Sequence, residues 1–576
     1  MNEACQLACL GLLMALAHAQ ETAFPSLAFE ATADQAMAVR LPAHPGKDWK
    51  RVIFRPQRTN GFPEELEVLR TIQAPATGIV GLALAPDRVW VASGAARRIY
   101  RLDRANGAVL GSFPAPGPHP AGLHWDGKLL WHADARTNRV YALTAEGAVV
   151  RTFEVQFEPV ALMRQAGELI VADWNQAVVH RLDAETGKEL GLEPAPDEHL
   201  RGLTAAQGYW WCAAGNEIIC FDRTRGLPIC GFSAAPPFPA PCTVTGLTAA
   251  GGEFWLADAE GEVIRVLRIP QHGQWVAAGG GVRTNGFAMT YRNTAASACE
   301  SFRVLQHVPF LEMPGQRYLS LEIHPVPQAL FRDDVGNVIA LLDFGRLEAG
   351  ATVRCEIEAR LWAADRRLIV DPARVAEAPL PAAYASYARS FHPIPGEDSR
   401  ETRAFVEAAV GRETNAYWRV RLAHDALCRA IYYREPADES IPGVLRQGYG
   451  VCRNYSAALE SFGRLLGLPV LNAWAPRHET CYWLLPGVGP TIMEVTANDS
   501  GPDPATPWRR SRWLLGTARG EITTGVRGYA MHTQVLLGET PFSYYWHYWL
   551  PDGLAGIEHR GWWTASDERT GAKRRL

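Results

Sequence analysis

The middle of the chain repeats one pattern of short strands and glycine-rich turns, and no other feature constrains the fold as much. The repeats begin at Gly81, Gly122, Ala161, Gly202 and Gly246. One aligned position holds Trp90, Trp131, Ile170, Trp211 and Trp255, at spacings of 41, 39, 41 and 44 residues. A period of about 40 residues has room for four strands and is typical of propeller blades. Because one blade cannot bury both of its faces, the repeats must stack around an axis.

The two ends of the repeat region predict how the ring closes. The last repeat stops after its third strand, near Ile269, and the segment 65–76 before the first repeat resembles a fourth strand. We therefore predict a β-propeller of about five blades over residues 63–270, similar to propellers of NHL or PQQ-repeat type. The alternative is six blades, with residues 27–60 supplying another. The recurring Trp and Asp residues are expected in the core and the turns, and a protein or glycan partner is the expected ligand.

Composition and the N-terminus limit the class and the compartment of the protein. The 576 residues are 47% hydrophobic and 20% charged, which is typical of a globular, multidomain chain. The net charge of −4 argues against a general nucleic-acid binder. Residues 5–19 are apolar and end in Ala-His-Ala, which predicts a signal peptide over 1–19 and a periplasmic or secreted bacterial protein. A buried first helix is the alternative, and no transmembrane segment is expected after the signal.

Nine cysteines follow the predicted signal peptide. If one of them is a catalytic thiol, about eight remain, which is enough for up to about four disulfides in an oxidising compartment. Scattered buried thiols are the alternative. The candidate disulfide cysteines are Cys212, Cys220, Cys230, Cys242, Cys299 and Cys355, with Cys299 and Cys355 as a candidate bridge.

Between the propeller and the C-terminal region, the sequence predicts a small β-sandwich over residues 271–372. In residues 353–361 apolar and charged side chains alternate strictly, so one face of the strand is buried and the other is wet. Residues 20–62 form a lead segment. The Pro- and Ala-rich residues 373–396 are predicted to be a linker.

The residues that carry chemistry lie in the C-terminal region. Glycines at 448 and 450 predict a tight turn, after which Cys452 opens a helix that Gly467 ends. The first turn of a helix has free N–H groups and the positive end of the dipole, and both stabilise a thiolate. Two strands separated by a glycine-rich turn follow. In that hairpin His478 can face the thiol while Glu494 holds the second imidazole nitrogen, an arrangement of nucleophile, base and orienting acid.

Three motifs in this order resemble the transglutaminase-like superfamily of papain-type cysteine enzymes. Gly-x-Gly-x-Cys at 448–452 resembles its nucleophile motif, and Gly-Leu-Pro at 467–469 resembles the Gly-Ile-Pro that follows its helix. His478, with Pro-Gly eight residues later and Glu-Val-Thr at 494–496, resembles its His-x-Trp, Pro-Gly and Asp-Pro-Thr stretch. The resemblance implies a transglutaminase-like α+β domain over residues 397–545, followed by a C-terminal extension over 546–576.

The resemblance also implies the roles of individual residues. The family's Cys, His and Asp fall on Cys452, His478 and Glu494, so the acid is Glu here. Thr480 stands where the family has Trp, and Leu471 where it has Arg. Gln447, five residues before Cys452, is a candidate oxyanion donor. Trp474 is a candidate pocket residue.

The expected function is an exported cysteine enzyme that acts on a protein or peptide substrate. It would cleave a peptide or amide bond as a peptidase or amidase, or transfer the acyl group as a protein-glutamine acyltransferase. The alternative is an inactive transglutaminase-like adaptor whose propeller binds the partner. No cofactor, metal or nucleotide site is expected, since the chain has no His-Glu-x-x-His motif and no nucleotide loop.

Overall fold

The structure is a computed structural model and is mainly β. It describes residues 29–30, 38–39, 66–234, 242–308, 316–332, 338–380, 394–475, 478–493, 496, 517–519, 525–526, 532–537, 540–545, 557–567 and 572–575. Two short strands, β1 (Phe29–Glu30) and β2 (Ala38–Val39), pair with each other. No helix in these ranges has both the length and the apolar character that a membrane crossing requires.

The repeats form five four-stranded antiparallel sheets, which are compatible with the blades of a propeller. Each sheet is called a blade below, with its strands given from first to last. Blade 1 contains β4 (Ile79–Leu84), β5 (Arg88–Ser93), β6 (Arg98–Asp103) and β7 (Val109–Pro114). Blade 2 contains β8 (Pro120–Trp125), β9 (Leu130–Asp134), β10 (Arg139–Leu143) and β11 (Val149–Glu154). Blade 3 contains β12 (Pro159–Gln165), β13 (Glu168–Asp173), β14 (Val178–Asp183) and β15 (Glu189–Pro194).

Blade 4 contains β16 (Leu200–Ala206), β17 (Tyr209–Ala214), β18 (Glu217–Asp222) and β19 (Leu227–Ser233). Blade 5 contains β20 (Val244–Ala250), β21 (Glu253–Asp258), β22 (Val263–Arg268) and the N-terminal strand β3 (Val68–Gln73). The pairing of β3 with β22 confirms the predicted closure. Each first strand contacts the first strand of the next blade, and β20 contacts β4, so the ring closes with five sheets. This contact leaves no place for the sixth blade of the alternative.

The tryptophan position of the repeat lies on the second strand of each blade, and its side chains are buried. Trp90, Trp131, Trp211 and Trp255 are all among the largest fully buried side chains, as expected for core residues. Glycines in the turn before the last strand let neighbouring blades approach each other. Gly147 has a φ of +95°, and a Cβ there would lie 2.3 Å from the ring of Phe113 in the preceding blade. Only glycine fits such a position without strain.

Two further sheets form the β-module, in which strands from the C-terminus complete each sheet. One sheet has β23 (Trp275–Asn293), β25 (Gln316–His324), β28 (Thr352–Leu368), β34 (Thr517–Arg519), β38 (Ile557–Asp567) and β39 (Ala572–Arg575). The other has β24 (Cys299–Val308), β26 (Ala329–Arg332), β27 (Val338–Leu347), β36 (His532–Leu537) and β37 (Thr540–Tyr545). Tyr291 of the first sheet packs against Phe302 and Phe344 of the second. The C-terminal strands therefore belong to this module as well as the residues 271–372 predicted for it.

The C-terminal α+β unit combines helices with a four-stranded sheet. A short helix, α1 (Pro372–Glu377), occupies the start of the segment predicted as a linker. The other helices are α2 (Arg400–Val410), α3 (Ala416–Ala430), α4 (Ile441–Gln447) and α5 (Cys452–Leu466). The sheet has β31 (Val470–Ala475), β32 (His478–Leu485), β33 (Gly489–Met493) and β35 (Gly525–Val526). A small parallel pair joins β29 (Tyr432–Tyr433) to β30 (Tyr449–Gly450).

Helix α3 joins this unit to blade 4 through polar contacts that are themselves buried. The Tyr417 hydroxyl donates a hydrogen bond to the backbone oxygen of Ile229 at 2.7 Å. The Arg421 guanidinium donates to the backbone oxygen of Pro228 at 2.8 Å. Both acceptors lie on β19, the outermost strand of blade 4. The ring of Tyr417 also lies 5.9 Å from that of Trp483 on β32, so α3 is packed between the propeller and the sheet.

The six candidate disulfide cysteines are free thiols in the structure. Cys299 and Cys355 lie in different sheets of the β-module, and Cys355 is fully buried. Cys220 and Cys230 face each other on β18 and β19. Burial and a hydrogen bond with Cys230 raise the pKa of the Cys220 thiol well above its usual value. The predicted Cys299–Cys355 disulfide is therefore not formed in the structure. Long-range strand pairing decides which sheet carries each thiol, and it places the two cysteines in different sheets.

Candidate active site

Cys452 is the first residue of α5, and the chain around it forms a capped helix start. The Asn454 side-chain oxygen accepts a hydrogen bond from the backbone N–H of Val451 at 3.0 Å. Gly448 just before this turn adopts a left-handed conformation with a φ of +69°. Gly467 ends the helix in the same conformation, as the sequence predicts. The half-buried thiol therefore lies at the positive end of a fifteen-residue helix.

The hairpin of β32 and β33 brings His478 to this helix start. His478 is the first residue of β32, and β32 packs against α5. Next to it, the Cys481 thiol donates to the backbone oxygen of Ser456 at 3.5 Å. The Tyr455 hydroxyl fixes the other side of the helix by donating to the backbone oxygen of Ile431 at 2.8 Å. These contacts set the position of the strand that carries His478 relative to the helix that carries Cys452.

The surroundings of Cys452 lower its pKa below the usual thiol value. Burial, the largest influence, works in the opposite direction because it disfavours the charged form. The hydrogen bond with the His478 side chain, the backbone N–H of Glu479 and the charge of His478 together outweigh it. The balance favours the thiolate of Cys452, the form that acts as a nucleophile, relative to a free thiol.

Glu479 is a buried carboxylate that sequence reasoning missed. It is 4% exposed, and the side-chain nitrogen of Asn472 donates to it at 2.9 Å. Its charge raises the pKa of Cys452 and so opposes the effect of His478. The position immediately after His478 was the only signal in the sequence. The carboxylate is a negative charge beside the thiol that moderates how far the thiol is activated.

One ring nitrogen of His478, Nε2, faces the segment after β33. Nε2 lies 3.5 Å from the Thr496 hydroxyl, a long contact whose direction depends on the imidazole tautomer. Thr496 belongs to the Glu-Val-Thr motif, although only its neighbour Glu494 was predicted to orient the histidine. Glu494 lies outside the described residues, so its orienting role stays a prediction.

The structure describes the side chain of only one of the two candidate pocket residues, Gln447 and Trp474. The Gln447 amide braces the preceding loop: its oxygen accepts from the N–H of Ala437 at 2.9 Å, and its nitrogen donates to the backbone oxygens of Asp438 and Gly443. An oxyanion role for Gln447 would require these bonds to break. Trp474 lies on β31 opposite Glu479 in the strand register, but its side chain is outside the described part, so its pocket role stays a prediction.

Charged and aromatic side chains surround the start of α5. Arg453, next to Cys452, forms ion pairs with Glu435 and Glu439. Burial opposes protonation of Arg453, but these carboxylates raise its pKa. On the other side, the rings of Tyr432 and Tyr449 meet edge to face at 4.4 Å. These contacts hold the segments on both sides of the turn that leads to Cys452.

A second group of ionisable side chains lies inside α3 and was not predicted. The Arg421 guanidinium contacts the Asp425 carboxylate at 2.9 Å, and Nδ1 of His424 lies 2.9 Å from the same carboxylate. The Cys428 sulfur is 3.8 Å from Nε2 of His424. Burial opposes protonation of His424, but Cys428 and Asp425 outweigh it and raise its pKa to about 10. Because all four side chains are buried, this group is part of the core and is closed to substrate.

Within the described residues, no group of three or more His, Cys, Asp or Glu side chains is arranged to hold a metal ion. Three solved structures are each similar to part of the chain. A glutaminyl cyclase from Myxococcus xanthus is 14% identical, with a TM-score of 0.32, over 36% of this chain and 100% of its own. A candidate cysteine protease from Cytophaga hutchinsonii is 14% identical, with a TM-score of 0.32, over 52% of this chain and 93% of its own. BamB from Moraxella catarrhalis is 12% identical, with a TM-score of 0.25, over 36% of this chain and 99% of its own.

No family model matches the chain, and no curated protein matches it. The TM-scores of the structural likenesses are low, so the functional conclusion rests on the geometry around Cys452.

Proposed function

We propose that the chain is an exported, transglutaminase-like cysteine enzyme that acts on a peptide or amide bond. One observation carries the proposal: the Cys452 thiol lies at a helix start, is hydrogen-bonded with His478 and has a lowered pKa. A lowered pKa increases the fraction of Cys452 present as the nucleophilic thiolate, whereas burial alone would decrease it. The motif resemblance to papain-type enzymes supports the same assignment.

The chemistry follows from the positions of these groups. The Cys452 thiolate attacks the carbonyl carbon, and the carbonyl electron pair moves to the oxygen. The N–H of Cys452 is among the helix N–H groups with no acceptor inside the helix, and it suits that developing charge. As the C–N bond breaks, the His478 imidazolium gives its proton to the leaving amine and a thioester remains.

The second half of the reaction returns the enzyme to its starting state. His478 takes a proton from water or from an amine, which attacks the thioester carbonyl and releases the Cys452 thiolate. Water gives hydrolysis, and an amine gives acyl transfer. In this proposal Glu494 orients His478 and stabilises the imidazolium, and Thr496 contributes the contact at Nε2. The same catalytic residues serve both outcomes, and hydrolysis is the one we favour.

The first experiment measures how the rate of iodoacetamide labelling depends on pH, by peptide mass spectrometry of the mature protein. We expect Cys452 to react with an apparent pKa below that of a free thiol, and His478→Gln to move that pKa upward. Cys481, which is fully buried on β32, is an internal control and should react slowly. Slow labelling of Cys452, or labelling only at alkaline pH, would contradict the proposal and favour the inactive adaptor.

A second experiment tests turnover. The wild type and Cys452→Ala are compared for hydrolysis of peptide amides and for transfer of a fluorescent amine to a glutamine-containing protein. We expect wild-type activity in at least one assay and none from Cys452→Ala. Equal activity of the two proteins would show that the chemistry lies elsewhere.

A further inference from the structure

The face of the propeller where blades 3 and 4 meet carries two side chains that break the repeat. Arg201 precedes Gly202 at the start of β16, where the other blades have Val80, Ala121, Val160 and Thr245. Trp174 follows β13, where the other blades have Gly94, Ala135, Gly215 and Ala259. A position needed only for the blade fold accepts small or apolar residues, as those equivalents show. Arg201 and Trp174 therefore need a reason other than the fold.

The backbone positions Arg201 at a bulge in the first strand of blade 4. The register of β16 against β17 shifts between Leu200 and Gly202, which leaves Arg201 without a partner in the ladder. A bulge of this kind redirects the side chain that it carries. In blade 5 the equivalent bulge residue, Thr245, is buried and its hydroxyl donates to the backbone oxygen of Ile79. At the equivalent bulge of blade 4, Arg201 has a charged side chain instead.

Arg201, Trp174 and His199 form one stack, which we call the blade 3–4 stack. The Arg201 guanidinium carbon lies 4.7 Å from the centroid of the Trp174 ring. The His199 ring stacks on Trp174 at 4.5 Å, and its Nδ1 lies 3.0 Å from the Trp174 backbone oxygen. Stacking uses the flat face of a guanidinium and leaves its N–H groups, which lie in the plane, available for an anion.

The charge of Arg201 has no counterion among the described residues. Arg201 is half-buried, and burial alone lowers its pKa. Five other arginines of the propeller that are half-buried or buried form ion pairs with carboxylates: Arg104 with Glu253, Arg164 with Asp126, Arg181 with Glu168, Arg223 with Glu193 and Arg265 with Asp258. A partly desolvated cation without an anion is costly, and a bound carboxylate relieves that cost.

We propose that the blade 3–4 stack is a binding site for a carboxylate of an acidic peptide. The planar guanidinium accepts a carboxylate through two parallel hydrogen bonds, while Trp174 and His199 hold it in place. Such a site would let the propeller capture an acidic segment of a protein. The inference goes beyond the proposed enzyme function, because it depends on neither Cys452 nor His478.

The test is fluorescence anisotropy with a rhodamine-labelled peptide that contains a run of Glu residues, at physiological ionic strength. The full-length Cys452→Ala protein is used, so that turnover cannot interfere and failure of the enzyme proposal leaves this test intact. We expect binding of the Glu peptide, no binding of the matched Gln peptide, and a Kd raised roughly tenfold or more by Arg201→Gln. Arg201→Lys should also weaken binding, because Lys cannot reproduce the planar pair of hydrogen bonds.

Arg136→Gln is the matched control. Arg136 is an exposed arginine in the loop after β9 of blade 2, which is equivalent to the loop that carries Trp174 in blade 3. It should leave the Kd unchanged, because a single exposed charge is screened. The inference is overturned if Arg201→Gln binds as wild type, if Arg136→Gln weakens binding equally, or if the Glu peptide does not bind. Binding of a uronic-acid oligosaccharide in place of the peptide would overturn the peptide assignment.

Discussion

Replacing Arg421 with Met should destabilise α3 and its docking on blade 4. The Arg421 side chain is 1% exposed and that of Asp425 is 5% exposed, so the pair is removed from water. The substitution removes the contacts at 3.1 and 2.9 Å to the carboxylate of Asp425, and the 2.8 Å bond to the Pro228 oxygen. Burial raises the pKa of Asp425, but Arg421 and His424 outweigh it and keep the carboxylate charged. In the variant this charge retains only His424 as its partner among these groups.

The expected loss is about 3–5 kcal/mol, the usual cost of removing one partner of a buried ion pair. The matched double variant Arg421→Met with Asp425→Leu removes both charges. It should be closer to the wild type than the single variant, because replacing a whole buried pair by apolar residues is often neutral. Arg429→Met is the control on the same helix. Arg429 is exposed in the last turn, so we expect a change of at most about 1 kcal/mol.

Hydrogen exchange of the α3 amides measures this loss without requiring the multidomain chain to unfold in one step. A loss of about 3–5 kcal/mol corresponds to a fall of roughly 10²–10⁴-fold in protection. Protection within tenfold of wild type in Arg421→Met would refute the reasoning. A double variant as unstable as the single variant would also refute it, because the cost could then not come from the unpaired carboxylate.

Two other predictions follow from the site and the propeller. Glu479→Gln should lower the pKa of Cys452 further, because it removes a negative charge that opposes the thiolate; labelling rates against pH would show this, and an unchanged or higher pKa would contradict it. Gly147→Ala should destabilise the propeller by about 2 kcal/mol or more, measured by thermal unfolding, because a Cβ there meets Phe113 at 2.3 Å. Gly127→Ala is its control, with a similar φ of +97° and no atom within 4 Å, and an equal loss in both variants would exclude the contact as the cause.

Features set by local pattern could be predicted from the sequence. The repeat predicted the buried tryptophans and the closing strand β3, because each depends on a period that the chain itself displays. Gly467 predicted the end of α5, because a helix cap needs only a few adjacent residues. Cys452 was found in the same way, since a turn of glycines followed by a cysteine and an apolar helix is a local signal.

Features set by tertiary packing could not be predicted. Glu479 reads as an ordinary polar strand residue, and only the packing of the hairpin on α5 buries it beside the thiol. Arg421 and Asp425 read as a solvent-exposed pair one helical turn apart, yet blade 4 covers them. The extent of the β-module could not be predicted for the same reason. Its strands β23 and β24 pair with β38 and β36, which lie more than 200 residues further along the chain.

These contacts bear on whether the candidate enzyme unit can act without the propeller. Helix α3 packs against α5, which begins with Cys452, and Tyr417 of α3 meets the ring of Trp483 on the strand that begins with His478. The opposite contacts of Tyr417 and Arg421 are backbone oxygens of blade 4. Removing the propeller would expose a buried guanidinium and the apolar side of the helix that supports α5 and β32. The propeller is therefore part of the core on which the geometry of Cys452 and His478 depends.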